Sequence, residues 1–356
     1  MALIFIDSFD HYATADLSRK WTSVIGAPTV GAYGRNGTSG LRCNPASSGA
    51  GDGAFIGFDA AASGLIGFAI YASLAESLPF LAAFDGGNNG TQFGLRLATD
   101  GSITAYRCSS SYGGGAYPLD DTSATVLGTS AGGVIQEDVW HYLECQATIH
   151  DTTGAIEVRV DGVAVLTLAN VDNKRTATAQ LTSWYLGSRK GASANRIDFD
   201  DVYVADTTGG VNDDFLGDVR VDAHLPNGAG STTAWTASAG NNYACVDEAA
   251  PNDDTDYVST DTINNVDTYA FPNLANAGGA IQGLQVLACC LKEDAGACSL
   301  APVVRPVATD RVGTTAAIGT TYAYHVRECY DVSPETGIAW TEDEFNASEF
   351  GVKKIV

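Results

Sequence analysis

The sequence predicts an all-β protein made of two antiparallel β-sandwiches, and three observations carry that expectation. Short runs of alternating apolar and polar residues recur along the chain, separated by clusters of Gly, Asn, Asp and Thr that punctuate strands rather than extend them. Glycine occurs 40 times against a single methionine, and charged residues make up only 17% of the chain. Helical bundles draw instead on Leu, Lys, Glu, Gln and Met. A tight hairpin signal, Asp161-Gly162, lies between two strand-like runs, where two left-handed residues suit the twist of paired strands. The 356 residues, 45% of them hydrophobic, are enough for about two domains, each with its own core. The expected division is 1–207 and 208–356, the second sandwich being smaller and ending in a short helix.

In chain order, Phe5-Ile6-Asp7 with Phe9 reads as a first strand. Residues 14–21 follow as a helical turn or two, with Thr14 as N-cap and Leu17 and Trp21 four apart on one face. Asn36-Gly37 marks a hairpin turn in a Gly- and Ser-rich stretch. Strands are then expected at 54–58, 64–72, 78–84, 93–98 and 103–108. Residues 140–150 place Leu143, Cys145, Ala147 and Ile149 on one face and Glu144, Gln146 and Thr148 on the other. A two-residue loop at Asp161-Gly162 pairs Val160 with Val163, Arg159 with Ala164, Val158 with Val165 and Ile156 with Thr167. Glu157 and Arg159 then lie on the polar side, the half-buried alternation that suits an antiparallel sheet over a core.

The stretch 196–222, RIDFDDVYVADTTGGVNDDFLGDVRVD, reads as a seam. Strict alternation puts Ile197, Phe199, Asp201 and Tyr203 on one face and Asp198, Asp200, Val202 and Val204 on the other. A Thr-Gly turn follows, then the entry to the second half. There the run AIQGLQVLACC (280–290) reads as a strand buried on both faces. Residues 303–305 and 322–326 add strands, and Thr341-Glu-Asp-Glu344 is a capping box opening a helix that Gly351 would stop.

Composition narrows the chemistry. With 42 acidic against 19 basic residues the net charge is −23, and no Lys/Arg cluster offers the cationic face that nucleic acid or an anionic membrane needs. The opening MALIFIDSFDHY lacks the basic start and longer apolar core of a signal peptide, so cytosolic synthesis with reduced cysteines is expected. The eight cysteines, Cys43, Cys108, Cys145, Cys245, Cys289, Cys290, Cys298 and Cys329, form no CxxC pair. Even Cys289-Cys290-Cys298, or His325 with Cys329, lacks zinc spacing, so they read as small buried hydrophobes.

A glycosidase would need two carboxylates across one sugar. Asp198 and Asp200 share a strand face, but no Glu accompanies them. The acidic run Asp247, Glu248, Asp253, Asp254 and Asp256, and separately Asp120-Asp121, supplies the hard oxygens that calcium prefers, without EF-hand spacing. Aromatics in Gly- and Ser-rich stretches, Tyr112, Tyr117, Trp184 and Tyr185, are the candidates for a glycan surface, the alternative being core packing. The five histidines are scattered, and neither a P-loop nor a dinucleotide fingerprint occurs. No cofactor and no catalytic residue is expected.

Four segments in order, FIDSFDHY, DVWHYLECQATI, GAIEVRVDGVAVLTL and IDFDDVYVAD, resemble a concanavalin A-like (laminin-G-like) jelly roll. More narrowly, FIDSFDHYATADLSRKW resembles the start of a family of tailed-bacteriophage virion proteins. DDFLGDVRVD, AWTAS, YACVDEAAPNDDTDYV and TGIAWTEDEFNASEFGVK are similar to that family's second segment. The resemblance spans nearly the whole chain, and its motifs are structural. It implies a non-enzymatic structural protein of the virion, in the tail tip, baseplate or fibre attachment, made in the host bacterial cytoplasm. Its partners would be copies of itself and other virion proteins. A host-glycan-binding module and a capsid-decoration protein are the alternatives.

Overall fold

The computed structural model describes residues 2–44, 51–86, 90–108, 124–188, 196–274 and 279–356. Its main body is a sandwich of two antiparallel sheets. One sheet runs Val163–Val171, Gly154–Val160, His141–Thr148, Ser63–Ala72, Ile197–Ala205, Gly40–Cys43, Thr29–Gly31, with Leu3–Asp7 also paired to Ile197–Ala205. The other runs Thr125–Thr129, Ile103–Arg107, Thr91–Leu97, Leu78–Phe84, Leu181–Ser188, Asp52–Ala61, Ser23–Ile25. The first and last strands of the sandwich are thus neighbours, and sequence-distant strands alternate within each sheet. Between the sheets lie Phe68, Phe80, Phe93, Phe199, Trp21 and Trp184, all essentially inaccessible to solvent.

Alternation fixes most of this packing. Leu143, Cys145, Ala147 and Ile149 enter the core, as do Ile156, Val158 and Val160. The hairpin starts in the expected register, Val160 with Val163 and Arg159 with Ala164, and then slips. Val158 pairs with Leu166, Glu157 with Thr167, and Ile156 with Leu168. An extra residue, Val165, forms a bulge, which moves two leucines rather than Thr167 to the core side. Burying a leucine is worth about 1.5–3 kcal/mol, enough to favour a bulge over an unbroken ladder. Asn36 and Gly37 form the expected turn with positive φ (58° and 81°), between Thr29–Gly31 and Gly40–Cys43.

The second half is built on a six-stranded antiparallel sheet. Its order is Gly228–Thr233, Val266–Ala270, Glu349–Lys354, Ser299–Arg305, Arg311–Val312, with Ala316–Ala317 also on Ser299–Arg305. The ribbon Leu284–Cys290 with Ala323–Tyr330 packs on it through Val286, Tyr330, Val304 and Phe350, and through Val326 and Leu300. Of the 280–290 run only Leu284–Cys290 forms a strand, and a half-buried one, because a two-stranded ribbon has only one covered face. Of the expected capping box the Glu342–Ala347 helix keeps one half, Thr341 Oγ1 accepting from Glu344 N at 3.2 Å, while the Glu344 carboxylate accepts from Ser333 Oγ instead. Gly351 does not stop it. The helix ends at Ser348, and Gly351 lies in a central strand where a Cβ would sit 1.9 Å from the Asp267 carbonyl oxygen.

Candidate functional site

The polar residues of the opening motif converge on one buried carboxylate. Asp7 ends the first strand, and the Leu17–Lys20 helix brings Lys20 and Trp21 over it. Asp7 Oδ1 accepts from Phe9 N at 2.9 Å and lies 3.1 Å from Lys20 Nζ; Oδ2 accepts from Trp21 Nε1 at 2.7 Å and from Tyr12 OH. Lys20 Nζ also donates to the Ile6 carbonyl at 2.9 Å and faces His11 Nε2 at 3.1 Å. Burial alone would raise the Asp7 pKa, but the Lys20 ammonium and these donors hold it below the ordinary value. Burial, then the Lys20 charge, push His11 down to about 3, so its imidazole is neutral and accepts. The cost of taking both charges out of water offsets much of their attraction, so the donors that fill the carboxylate are what make the buried pair tolerable.

This network is tied to the second half. Tyr324 OH donates to the His11 carbonyl at 3.0 Å, and Arg327 Nη1 to the Lys20 carbonyl at 2.7 Å. Asp331 accepts from Ala2 N at 2.9 Å, Leu3 N at 3.0 Å and Asn212 Nδ2 at 2.9 Å. Beside these bonds an apolar layer, Leu3, Leu65, Ala69, Tyr142, Tyr203 and Cys329, seals the outer face of the first sheet under Phe215, Leu216 and Val219. Glu144, a carboxylate on that face, accepts from Tyr203 OH and from Gly217 N at 2.9 Å.

The seam strand departs from strict alternation. Its ladder shifts between Asp200 and Tyr203, and Asp201 takes a left-handed φ of 48°. Ile197, Phe199, Val202 and Val204 therefore enter the core, while Tyr203 turns to the outer face with Asp198. Asp201 does not point inward as expected. Its carboxylate accepts from Arg35 Nε at 2.7 Å and Val221 N at 2.8 Å, and Arg35 continues to Asp218 at 2.6 Å and the Val219 carbonyl at 2.6 Å. The bulge aims one carboxylate at the strap that follows the sandwich.

The two carboxylates weighed for glycoside hydrolysis sit in different settings. Asp198 holds Arg42 in a two-bond fork at 2.8 and 2.9 Å, with Arg196 Nε at 3.4 Å. Asp200 is 1% exposed and accepts from Arg35 N, Thr38 Oγ1 and Asp201 N. Burial and then the Asp201 charge push it up to about 7. A raised carboxyl suits a general acid, yet its oxygens are filled by protein donors.

The other candidates are dispersed. Asp253 grips Arg19 at 2.5 and 2.8 Å, Asp254 accepts from Tyr322 OH at 2.9 Å, and Asp256 accepts from Asn252. Burial, followed by Asp256 and Asp247, raises Glu248. Among the described residues no three His, Cys, Asp or Glu side chains converge as a metal site. Tyr112, Tyr117, Asp120 and Asp121 lie outside the described residues. Trp184 is in the sandwich core, and Tyr185, on the opposite face, packs with Phe55 and Phe84 and donates to the Asp52 carbonyl at 3.0 Å. Neither ring is exposed. Sequence reasoning missed Lys20, Arg35, Glu144 and Asp331; a lone charge inside an apolar run (Glu144 between Leu143 and Cys145) was the available signal for one of them.

No protein-family model matches the chain, and no curated protein is similar to it at a significant level. Solved structures match part of it at low identity. An endo-β-1,4-glucuronan lyase from the fungus Trichoderma reesei is 14% identical over 52% of this chain and 90% of its own, with a TM-score of 0.37. The alginate lyase Aly36B is 13% identical over 56% and 95%, with a TM-score of 0.35. The Emp46p carbohydrate recognition domain is 13% identical over 56% and 97%, with a TM-score of 0.36. By its own strand order the main body is an antiparallel β-sandwich of two sheets. At these identities and TM-scores the likeness assigns neither activity nor ligand.

Proposed function

We propose that the protein is a non-enzymatic structural subunit of a tailed-phage virion, placed in the tail rather than on the capsid and acting by assembly. The observation that carries this reading is where the motif residues go. Asp7, Lys20, Trp21 and Asp218, all within the segments similar to the virion family, and Asp201 in the strand before the last of these are spent on contacts within the sandwich and between its sheet and the following strap. Residues arranged this way make one stiff body of two unlike halves, a shape suited to repeated copies in a symmetric particle. Edge-to-edge pairing is a poor route for such contacts. The long edge strand Val163–Val171 and the edge strand Thr125–Thr129 both carry bulges, which blunt open edges. Loops and sheet faces remain as the contact surfaces.

The test is composition and position in the particle. Virions purified by banding and analysed by quantitative mass spectrometry are expected to contain the chain at a fixed stoichiometry, with matching density in a tail map. Recovery only from the soluble lysate, as a monodisperse monomer absent from particles, would sink the proposal.

A further inference from the structure

Five of the eight cysteines are buried, and the remaining three, Cys289, Cys290 and Cys298, flank the loop between Leu284–Cys290 and Ser299–Arg305. Cys290 turns back on its own strand, donating to the Ala288 carbonyl at 3.7 Å. Cys289 lies 4.0 Å from Arg19 Nη1, which Asp253 already holds. Cys298 faces an amine, with Lys354 Nζ donating to its Sγ at 3.2 Å. Register explains this contact. Lys354 ends the last strand and pairs with Leu300, and Cys298 lies two residues before Leu300. The two side chains are therefore diagonal neighbours on one face of the sheet. Both backbones are fixed: the Cys298 carbonyl accepts from Ile318 N at 2.9 Å, and Lys354 N donates to the Asn265 carbonyl at 3.0 Å. Among the described residues no carboxylate pairs with Lys354, whereas Lys20 and Lys174 each have one. In a chain with 42 acidic residues, this ammonium has a thiol as its side-chain partner.

We infer that Cys298 and Lys354 form an oxidation-sensitive site at which hydrogen peroxide links the two side chains covalently. The thiol sulfur attacks one peroxide oxygen. The S–O bond forms, the O–O bond breaks and water leaves, so that sulfur is oxidised to a sulfenic acid and the peroxide is reduced. Sulfenic acids condense with a neighbouring thiol or nitrogen. Here the free-amine form of Lys354 attacks the sulfur; the S–N bond forms, the S–O bond breaks, and the hydroxyl leaves as water with a proton from the nitrogen. The product is a sulfenamide, lighter than the reduced chain by a pair of hydrogens. A thiol reductant attacks its sulfur and returns the thiol and the amine, itself becoming a disulfide. Cys298 is partly exposed, so a small oxidant reaches it, and Lys354 is the nitrogen already in contact. The link ties the end of the central strand Glu349–Lys354 to the start of Ser299–Arg305 beside it. It stays open in a reducing cytosol and closes in an oxidising setting. The inference stands independently of the assembly reading.

The experiment treats the folded full chain with hydrogen peroxide, blocks the remaining thiols, and maps its peptides by mass spectrometry with and without dithiothreitol. A peptide joining Cys298 to Lys354 is expected, lighter by a pair of hydrogens than its two parts and released by dithiothreitol. The melting transition of the linked chain is expected to lie about 4 °C or more above that of the reduced chain, because the staple restrains the unfolded state. Lys354→Arg keeps the positive charge and removes the amine. In that variant Cys298 is expected to run on to the sulfinic acid, with no link and no rise in melting. Cys298→Ser is expected to lose both the link and the rise. The peptide map of the unsubstituted chain decides the matter even where a variant folds poorly. A disulfide between Cys290 and Cys298, sulfinic acid at Cys298 beside unmodified Lys354, or Cys298 left unchanged while free cysteine is oxidised would each overturn the inference.

Discussion

Asp200 and Asp7 show how one residue type takes opposite settings in one sandwich. Asp200 is buried beside Asp201 and sits at about 7. A folded-state pKa raised above the unfolded value favours folding when the group is protonated. That contribution is complete below the ordinary carboxylate range and is lost as pH rises through about 7. The urea midpoint is therefore expected to fall between about pH 5 and about pH 8, and Asp200→Asn to shrink that fall; an undiminished fall would remove Asp200 as its source. Asp7 has the opposite sign, being lowered against the effect of its own burial by Lys20 and its donors. Its contribution is present above the ordinary carboxylate range and lost as pH drops below it. Lys20→Met strands that carboxylate in the core and is expected to cost about 3–5 kcal/mol. Adding Asp7→Asn should return part of the loss, so strictly additive losses in equilibrium unfolding would argue against a coupled pair.

At the scale of elements, glycine and bulges set what alternation cannot. Gly351 sits in the central Glu349–Lys354 strand with Asp267 backbone against the place of its missing Cβ. Gly351→Ala must push two paired strands apart and is expected to destabilise by about 1–3 kcal/mol or more. Thr341→Ala, which removes only the helix cap, should cost about 1 kcal/mol. Denaturant titration of both variants would check the order, and a harmless Gly351→Ala would mean that the strand is packed differently. The bulge at Asp201 has a wider consequence than the one at Val165. It rotates Tyr203 onto the outer face, where Tyr203 meets Leu65 and Phe215 in the layer that joins the halves.

For the whole molecule, the joint is a continuous interface rather than a tether. Asp331 reaches back across 329 residues to Ala2, and Tyr203, Tyr142, Leu65 and Ala69 form one buried cluster with Cys329, against which Phe215, Leu216 and Val219 pack. The two halves are expected to unfold in one transition, with fluorescence and far-UV circular dichroism giving coincident curves. A fragment of residues 1–207 leaves that apolar layer in water, so it should bind ANS and lose solubility. A well-behaved fragment that does not bind the dye would show that the interface contributes little.

Local pattern was enough for several features decided within a few residues, though not for the helix stop expected at Gly351. The core faces of residues 141–149, the Asp161-Gly162 turn and the Thr341 cap all follow from side-chain period and turn chemistry. The seam at 196–222 was legible as a strand followed by a turn, but not as a bulged strand, since alternation counts Asp201 and Val202 alike. Tertiary structure alone decided the rest, for two reasons. A bulge is settled by which register buries more apolar surface, a comparison that needs the facing strand, as Leu166 and Leu168 show against Ile156 and Val158. The partners of a buried charge are chosen by where the chain returns, so nothing near Asp7 or Ala2 in sequence announces Arg327 or Asp331.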